Sequence, residues 1–167
     1  KVRYAGVSNF SAAQIERVRA IHPVASLQPP YSMLRRDVEK ELLGYCARHR
    51  IGVVAYSPMQ AGLLTGAFTR ERAAALPADD WRKRNAMFTE PELTRNLALV
   101  EKLKSLAARR GRNAAELAIA WVLRRPELTA AIVGGRRPAQ IEETVGGADW
   151  DLTPEEIAQI ERLLAAR

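Results

Sequence analysis

"GVVAYSPMQAGLLTG" occupies residues 52–66. It opens as an apolar run without alternation, which reads as a strand, Ile51 to Tyr56, buried on both faces of a parallel sheet. It closes in small and turn-forming residues: Ser57, Pro58, Gln60 and Gly62. That composition predicts a loop with no core of its own. The strand therefore delivers a large flat ring, Tyr56, to a place where packing alone does not call for one.

Outward from this stretch the same plan repeats. "VRYAGVSNF" (2–10) is a short apolar run ending in polar residues. "SAAQIERVRAIH" (11–22) follows, with Ser11 as N-cap and apolar residues at Ile15, Val18 and Ile21, a helical spacing. "VASLQPPYS" (24–32) is the next strand, and "DVEKELLGYCARHR" (37–50) the next helix, with Asp37 near its start. After Tyr56 a long connection runs from Ser57 to Glu90. The helix "LTRNLALVEKLKSLAARRG" (93–111) ends at Gly111, a C′ glycine by position. "NAAELAIAWVLRRPE" (113–127) is capped by Asn113 and stopped near Pro126. "LTAAIVGG" (128–135) is the fourth strand. "RPAQIEETVGG" (137–147) opens a helix with Pro138 in its first turn, and "LTPEEIAQIERLL" (152–164) closes the chain with Thr153, Pro154 and Glu156 as a capping box. Strand and helix alternate, so the fold class is α/β with a parallel sheet, in one domain over residues 1–167.

The bulk properties remove several functions. Lys and Arg total 26 against 19 Asp and Glu, a net charge of +7. The basic residues are interleaved with acids, and no aromatics are woven into a basic stripe, so a nucleic-acid role is set aside. The single cysteine, Cys46, rules out an internal disulfide and a multi-cysteine metal site, and suits a reducing cytoplasm. His22 and His49 have no metal-ligand spacing with it, so no metal site is expected. No apolar run approaches the ~20 residues of a membrane span. The chain begins inside a patterned unit, and the sequence before Lys1 is expected to continue it.

In a parallel α/β fold, functional residues collect at the carboxyl ends of the strands. Those ends read Ser8-Asn9, Gln28, Tyr56-Ser57 and Gly134-Gly135. Singly, each has a plain reading: a turn cap, a buried loop amide, a core aromatic, a strand-to-helix turn. Together they offer an amide-sized hydrogen-bonding set, a flat ring, and glycines before a helix N-terminus that attracts phosphate. A nicotinamide dinucleotide has those three parts, although no G-x-G-x-x-G fingerprint is present.

The ordered set "GVSNF", "SLQPPYSML", "GVVAYSPMQAGLLTG", "LAIAWVLRRP" and "AIVGGRRPAQIEET" resembles the aldo-keto reductase family over nearly the whole chain. The resemblance implies a (β/α)₈ barrel that uses NADPH to reduce aldehydes and ketones, with this chain as its C-terminal half, strands five to eight. It implies that Ser8, Asn9 and Gln28 hold the nicotinamide carboxamide and that Tyr56 stacks on the ring. Ser57, Pro58, Gln60 and Gly62 would wrap the pyrophosphate. Gly134, Gly135, Arg136, Gln140 and Glu143 would hold the adenosine end, with Arg136 and Arg137 suited to a 2′-phosphate. Thr144 stands where the family often has Asn. The family's catalytic Asp, Tyr, Lys and His come from the first four strands, so no catalytic residue is assigned here. The expected partners are a carbonyl substrate and the N-terminal half of the barrel. Two other readings stand beside this one: a non-catalytic NADPH-binding regulatory module, and an inactive fragment. "DDWRKR" (79–84) fits either a segment that closes over the site or a solvated hinge.

Overall fold

Three of the helices start where the sequence sets their caps. In the computed structural model, which describes residues 1–167, Ser11 Oγ accepts from Gln14 N–H at 3.3 Å while Gln14 Oε1 accepts from Ser11 N–H at 2.8 Å. Asn113 with Glu116 and Thr153 with Glu156 form the same reciprocal pair. Caps of this kind stabilise a helix by about 1 kcal/mol each. They open helices α1 (Ala12–Arg19), α5 (Ala114–Leu123) and α7 (Pro154–Ala165). The other helices are α2 (Leu42–His49), α3 (Arg70–Ala74), α4 (Glu92–Ala108) and α6 (Pro138–Val145).

Two expectations for helices are corrected. Helix α1 stops at Arg19, so Ile21 lies beyond it and is exposed, while Ile15 is fully buried. The Asp37 segment is a separate 3-10 turn, Asp37–Glu39, and α2 begins only at Leu42. Gly111 does adopt the left-handed backbone, at φ 65°, but two residues after the C-cap Arg109.

Strands β1 (Gly6–Ser8), β2 (Ser26–Gln28), β3 (Gly52–Tyr56) and β4 (Leu128–Ile132) pair in chain order, all parallel. The outer strands, β1 and β4, each have one neighbour. The expected burial of β3 on both faces is not what occurs. Val53 and Ala55 are fully buried, while Gly52, Val54 and Tyr56 are half-buried. Helix side chains, among them Ile15, Leu43, Cys46, Leu117 and Trp121, cover one face with Leu27, Val53 and Ala55 at its centre. The opposite face carries Ser8, Gln28, Tyr56 and Ile132, which are exposed or half-buried. An all-apolar strand hides the period of two that its environment imposes.

The connection after β3 also departs from expectation, because it has a core. Leu63 and Leu64 are fully buried. Leu63 packs with Phe68, Leu76, Phe88 and Leu93 in a small second cluster, where the rings of Phe68 and Phe88 meet edge to face at 5.2 Å. Asn96 on α4 holds this lobe by donating to the Met87 carbonyl at 2.9 Å.

The turn Gly146–Asp149 presses against α5 so closely that a Cβ on Gly147 would lie 2.8 Å from the Glu116 carbonyl oxygen and 2.8 Å from Ile119 Cβ. Backbone cannot yield as a side-chain tip does. Gly147→Ala is expected to destabilise the fold by about 1–3 kcal/mol through overpacking. Urea unfolding measures it, and an unchanged midpoint would show that the turn is free to move off the helix.

Candidate functional site at the strand ends

The first three strand ends are tied together by side chains. Ser8 Oγ donates to the Gln28 carbonyl at 3.0 Å, and Asn9 N–H donates to the same oxygen at 3.1 Å. Tyr56 hydroxyl then donates to Asn9 Oδ1 at 3.1 Å, spanning from β3 to the end of β1. Asn9 and Ser57, the residues that leave β1 and β3, both have left-handed backbone, at φ 60° and 55°. For Ser57 this conformation costs about 1–2 kcal/mol, whereas asparagine, as at Asn9, adopts it more readily. Strain of this kind concentrates at sites where geometry matters more than stability.

Tyr56 is fixed through its backbone as well. Its N–H donates to the Pro29 carbonyl at 3.0 Å, and its carbonyl accepts from Tyr31 N–H at 3.1 Å. Tyr31 is itself anchored on the helix side. Its hydroxyl donates to Glu39 at 2.5 Å and accepts from Arg124 Nη1 at 3.2 Å. Burial, reinforced by the Glu39 hydrogen bond, raises the Tyr31 pKa. Its ring lies 5.4 Å from that of fully buried Trp121, which also carries the Arg124 guanidinium 3.6 Å and the Arg36 guanidinium 5.0 Å from its ring centroid. Arg36 joins the cluster through Glu39 and Glu161, linking α7 to the loop after β2. Nothing in the local sequence marks Tyr31 for this role, since Arg124 is 93 residues away.

The loop after Tyr56 bends through consecutive left-handed residues: Gln60 at φ 48°, Ala61 at 50° and Gly62 at 91°. Gly62 needs the freedom of a glycine for that angle, and a Cβ there would meet no atom within 4 Å. The Gln60 side chain points inward: its Oε1 accepts from Ser32 Oγ at 2.8 Å, and its Nε2 donates to Met87 Sδ at 3.1 Å. Pro58 is also buried, so along this loop Ser57, Ala61 and Gly62 are the more open positions.

At the end of β4, Gly134 and Gly135 are exposed and lead to the start of α6. Gln140 reaches back there, its Oε1 accepting from Arg136 N–H at 2.7 Å and Arg137 N–H at 3.3 Å. Both arginine side chains are exposed, and the first turn of α6 holds no acid, so cationic charge and helix dipole favour an anion at this point. Glu143 lies farther along α6, where its carbonyl accepts from Asn113 Nδ2 at 2.8 Å. Thr144 is buried, its hydroxyl donating to the Gln140 carbonyl at 2.8 Å.

Between this helix start and the loop lies a cleft of about 490 Å³, bounded by Pro77, Asp79, Asp80, Trp81 and Arg82 on one side and Arg136 on the other. It gathers the "DDWRKR" segment, whose role the sequence left open, beside the β4 end. Asp80 holds Arg82 in a two-toothed pair, Nε to Oδ1 at 3.0 Å and Nη2 to Oδ2 at 2.6 Å. That pair, with the Arg82 N–H and the more distant charge of Arg136, lowers the Asp80 pKa to about 2. Asp80 is therefore ionised throughout the physiological range.

The remaining titratable side chains lie elsewhere. Tyr45 and His49, with rings 4.4 Å apart, belong to the helix layer, where Tyr45 donates to Glu16 at 2.6 Å. His22 is exposed in the turn after α1. Cys46 is fully buried, and burial pushes its thiol up to about 11. No helix is long and apolar enough to cross a membrane.

The family model described as the aldo/keto reductase family matches residues 1–165. The chain is 34% identical over 165 residues to aldo-keto reductase YhdN of Bacillus subtilis (strain 168), a match covering 98% of this chain and 49% of that protein. Its fold superposes on the structure of the glycerol dehydrogenase AKR11B4 from Gluconobacter oxydans with a TM-score of 0.92 at 35% identity, covering 99% of this chain and 50% of that one. The chain thus spans about half the length of these relatives.

Removing the Tyr31 hydroxyl tests the anchor beneath Tyr56. Tyr31→Phe leaves the Glu39 carboxylate and Arg124 short of a partner in a part-buried cluster. A loss of about 1–3 kcal/mol in chemical denaturation is expected. A neutral result would mean that Tyr31 is held by its ring contact with Trp121 alone.

Proposed function

The chain belongs to the aldo/keto reductase family, and from that premise we propose that it supplies the cofactor-holding half of an NADPH-dependent reductase of aldehydes and ketones. The observation that carries this reading is the set of side chains at successive strand ends. Ser8, Asn9 and Gln28 offer the hydrogen-bonding groups a carboxamide needs, and their spacing is fixed by the bonds among them. Tyr56, tied at its hydroxyl and on both sides of its backbone, presents a ring held in one orientation, as stacking against a nicotinamide requires. The open loop at Ser57 and Gly62 suits the pyrophosphate. Gly134, Gly135, Arg136 and Arg137 suit the phosphorylated adenosine end, and Gln140 and Glu143 are assigned to the same end.

When bound, reduced nicotinamide supplies a hydride to the carbonyl carbon, and a proton must reach the carbonyl oxygen to complete the alcohol. This chain's part is to orient the ring and exclude alternative poses. Its tyrosines and histidines are not proposed as the proton donor. Tyr31 is committed to Glu39 and Arg124, and Tyr45 to Glu16 in the helix layer. Tyr56 is engaged with Asn9. The donor and its neighbours are assigned instead to four further strands that pair with the free sides of β1 and β4 and close an eight-stranded barrel, making this chain strands five to eight. Two observations support that arrangement: the outer strands each lack one neighbour, and the relatives are about twice as long. A cytoplasmic location, suited to one reduced and buried thiol, belongs to the same proposal.

Two measurements test the reading. Tyr56→Ala is expected to weaken NADPH binding by about 1 kcal/mol or more through lost aromatic contact. Fluorescence titration reads it, and an unchanged dissociation constant would return Tyr56 to a packing role. Residues 1–167 alone are expected to self-associate through their free strand edges and to leave a broad aldehyde panel unreduced. Co-expression with the remaining half should restore turnover. An active monomer of residues 1–167, seen by light scattering and NADPH oxidation, would overturn the half-barrel assignment.

A further inference from the structure

The cleft between the Pro77–Arg82 segment and Arg136 contains two guanidinium groups in different states. Arg136 is exposed and stands at a helix start with no acid in its first turn. Arg82 is spent: Asp80 takes its Nε and Nη2 at 3.0 and 2.6 Å, and accepts its backbone N–H at 3.0 Å as well. Both side chains of that pair are largely covered, with 18% of Arg82 and 16% of Asp80 exposed. Asp80 thus does two things to an anion entering the cleft. It occupies the fork that would bind phosphate oxygens in a bidentate way, and it adds a fixed negative charge of its own.

We propose that Asp80 limits phosphate recognition in this cleft, so that it sets how strongly the protein prefers the dinucleotide carrying a 2′-phosphate over the one without it. The inference rests on the proposal that Arg136 faces the adenosine end of the cofactor. Arg136 then supplies recognition of the phosphate, Arg82 is a second guanidinium held in reserve, and Asp80 decides whether it is available. Because the carboxylate is ionised across the physiological range, Asp80 itself adds no pH dependence to that preference.

Asp80→Asn tests this with little disturbance, because asparagine caps a turn as well as aspartate does and keeps the bond to Arg82 N–H. Binding of NADP⁺ and NAD⁺ is followed by quenching of tryptophan fluorescence in the protein as encoded. Trp81, at the cleft, is 53% exposed, whereas Trp121 and Trp150 are buried. The expected result for Asp80→Asn is NADP⁺ affinity raised by about three- to tenfold, the range for one charge-assisted contact freed at a partly exposed site. NAD⁺ affinity should change less than about twofold, since it lacks the phosphate that such a contact would serve. In the double variant Asp80→Asn, Arg82→Ala most of the gain should disappear. Weaker NADP⁺ binding by Asp80→Asn would show that the carboxylate positions Arg82 for phosphate, and would overturn the proposal. Equal changes for the two cofactors, or a gain that survives loss of Arg82, would overturn it too. An unaltered protein that binds neither dinucleotide would overturn the cofactor assignment itself, and this inference with it.

Discussion

The backbone pairing of Tyr56 with Pro29 and Tyr31 is the constraint on which the site depends. It carries the ladder past the end of β2 to meet the last residue of β3, and fixes where the Tyr56 ring projects. The pairing holds because Tyr31 cannot move: its hydroxyl, its ring and its chain neighbours are locked by Glu39, Arg124, Trp121 and Ser32. Ser32 in turn accepts Leu34 N–H and donates to Gln60, so one rigid loop supports both the ring-bearing strand end and the bend that follows it. The residues facing the open side of the sheet are thus positioned by groups packed on its helix side.

The fold was most legible where its determinants are local. Ser11, Asn113 and Thr153 announce helix starts because cap and partner lie three residues apart, and the structure contains each reciprocal pair. The four parallel strands follow from alternation with helices, whereas their consecutive order does not, since alternating units also build sheets of other orders. The burial of β3 was not legible, because Val53 and Val54 look alike in sequence although helices cover only one of them. The lobe after β3 was also hidden. Leu63 packs on Phe88 and Leu93, about 25 and 30 residues downstream, and loop-like composition gave no hint of that closure.

The site divides in the same way. Ser8, Asn9, Gln28 and Tyr56 were readable as strand-end residues, and they do converge. Gln60 was readable as a loop residue, but its amide is turned inward to Ser32 and Met87, a choice made by contacts 27 and 28 residues away. Asp80 and Arg82 were visible only as members of a charged run. Their pairing, and their position opposite Arg136, require the loop to be folded. Charge is legible in a sequence; which charges neutralise one another is a property of the fold.

Cys46 gives the helix layer a built-in clock. It is the only thiol, it has no accessible surface, and burial keeps it protonated near neutral pH. A thiol reagent therefore reacts only during moments when α2 lifts from the sheet, and the labelling rate counts those openings. Because α2 packs behind β3, whose end carries Tyr56, the same rate reports how often the support beneath that ring is lost.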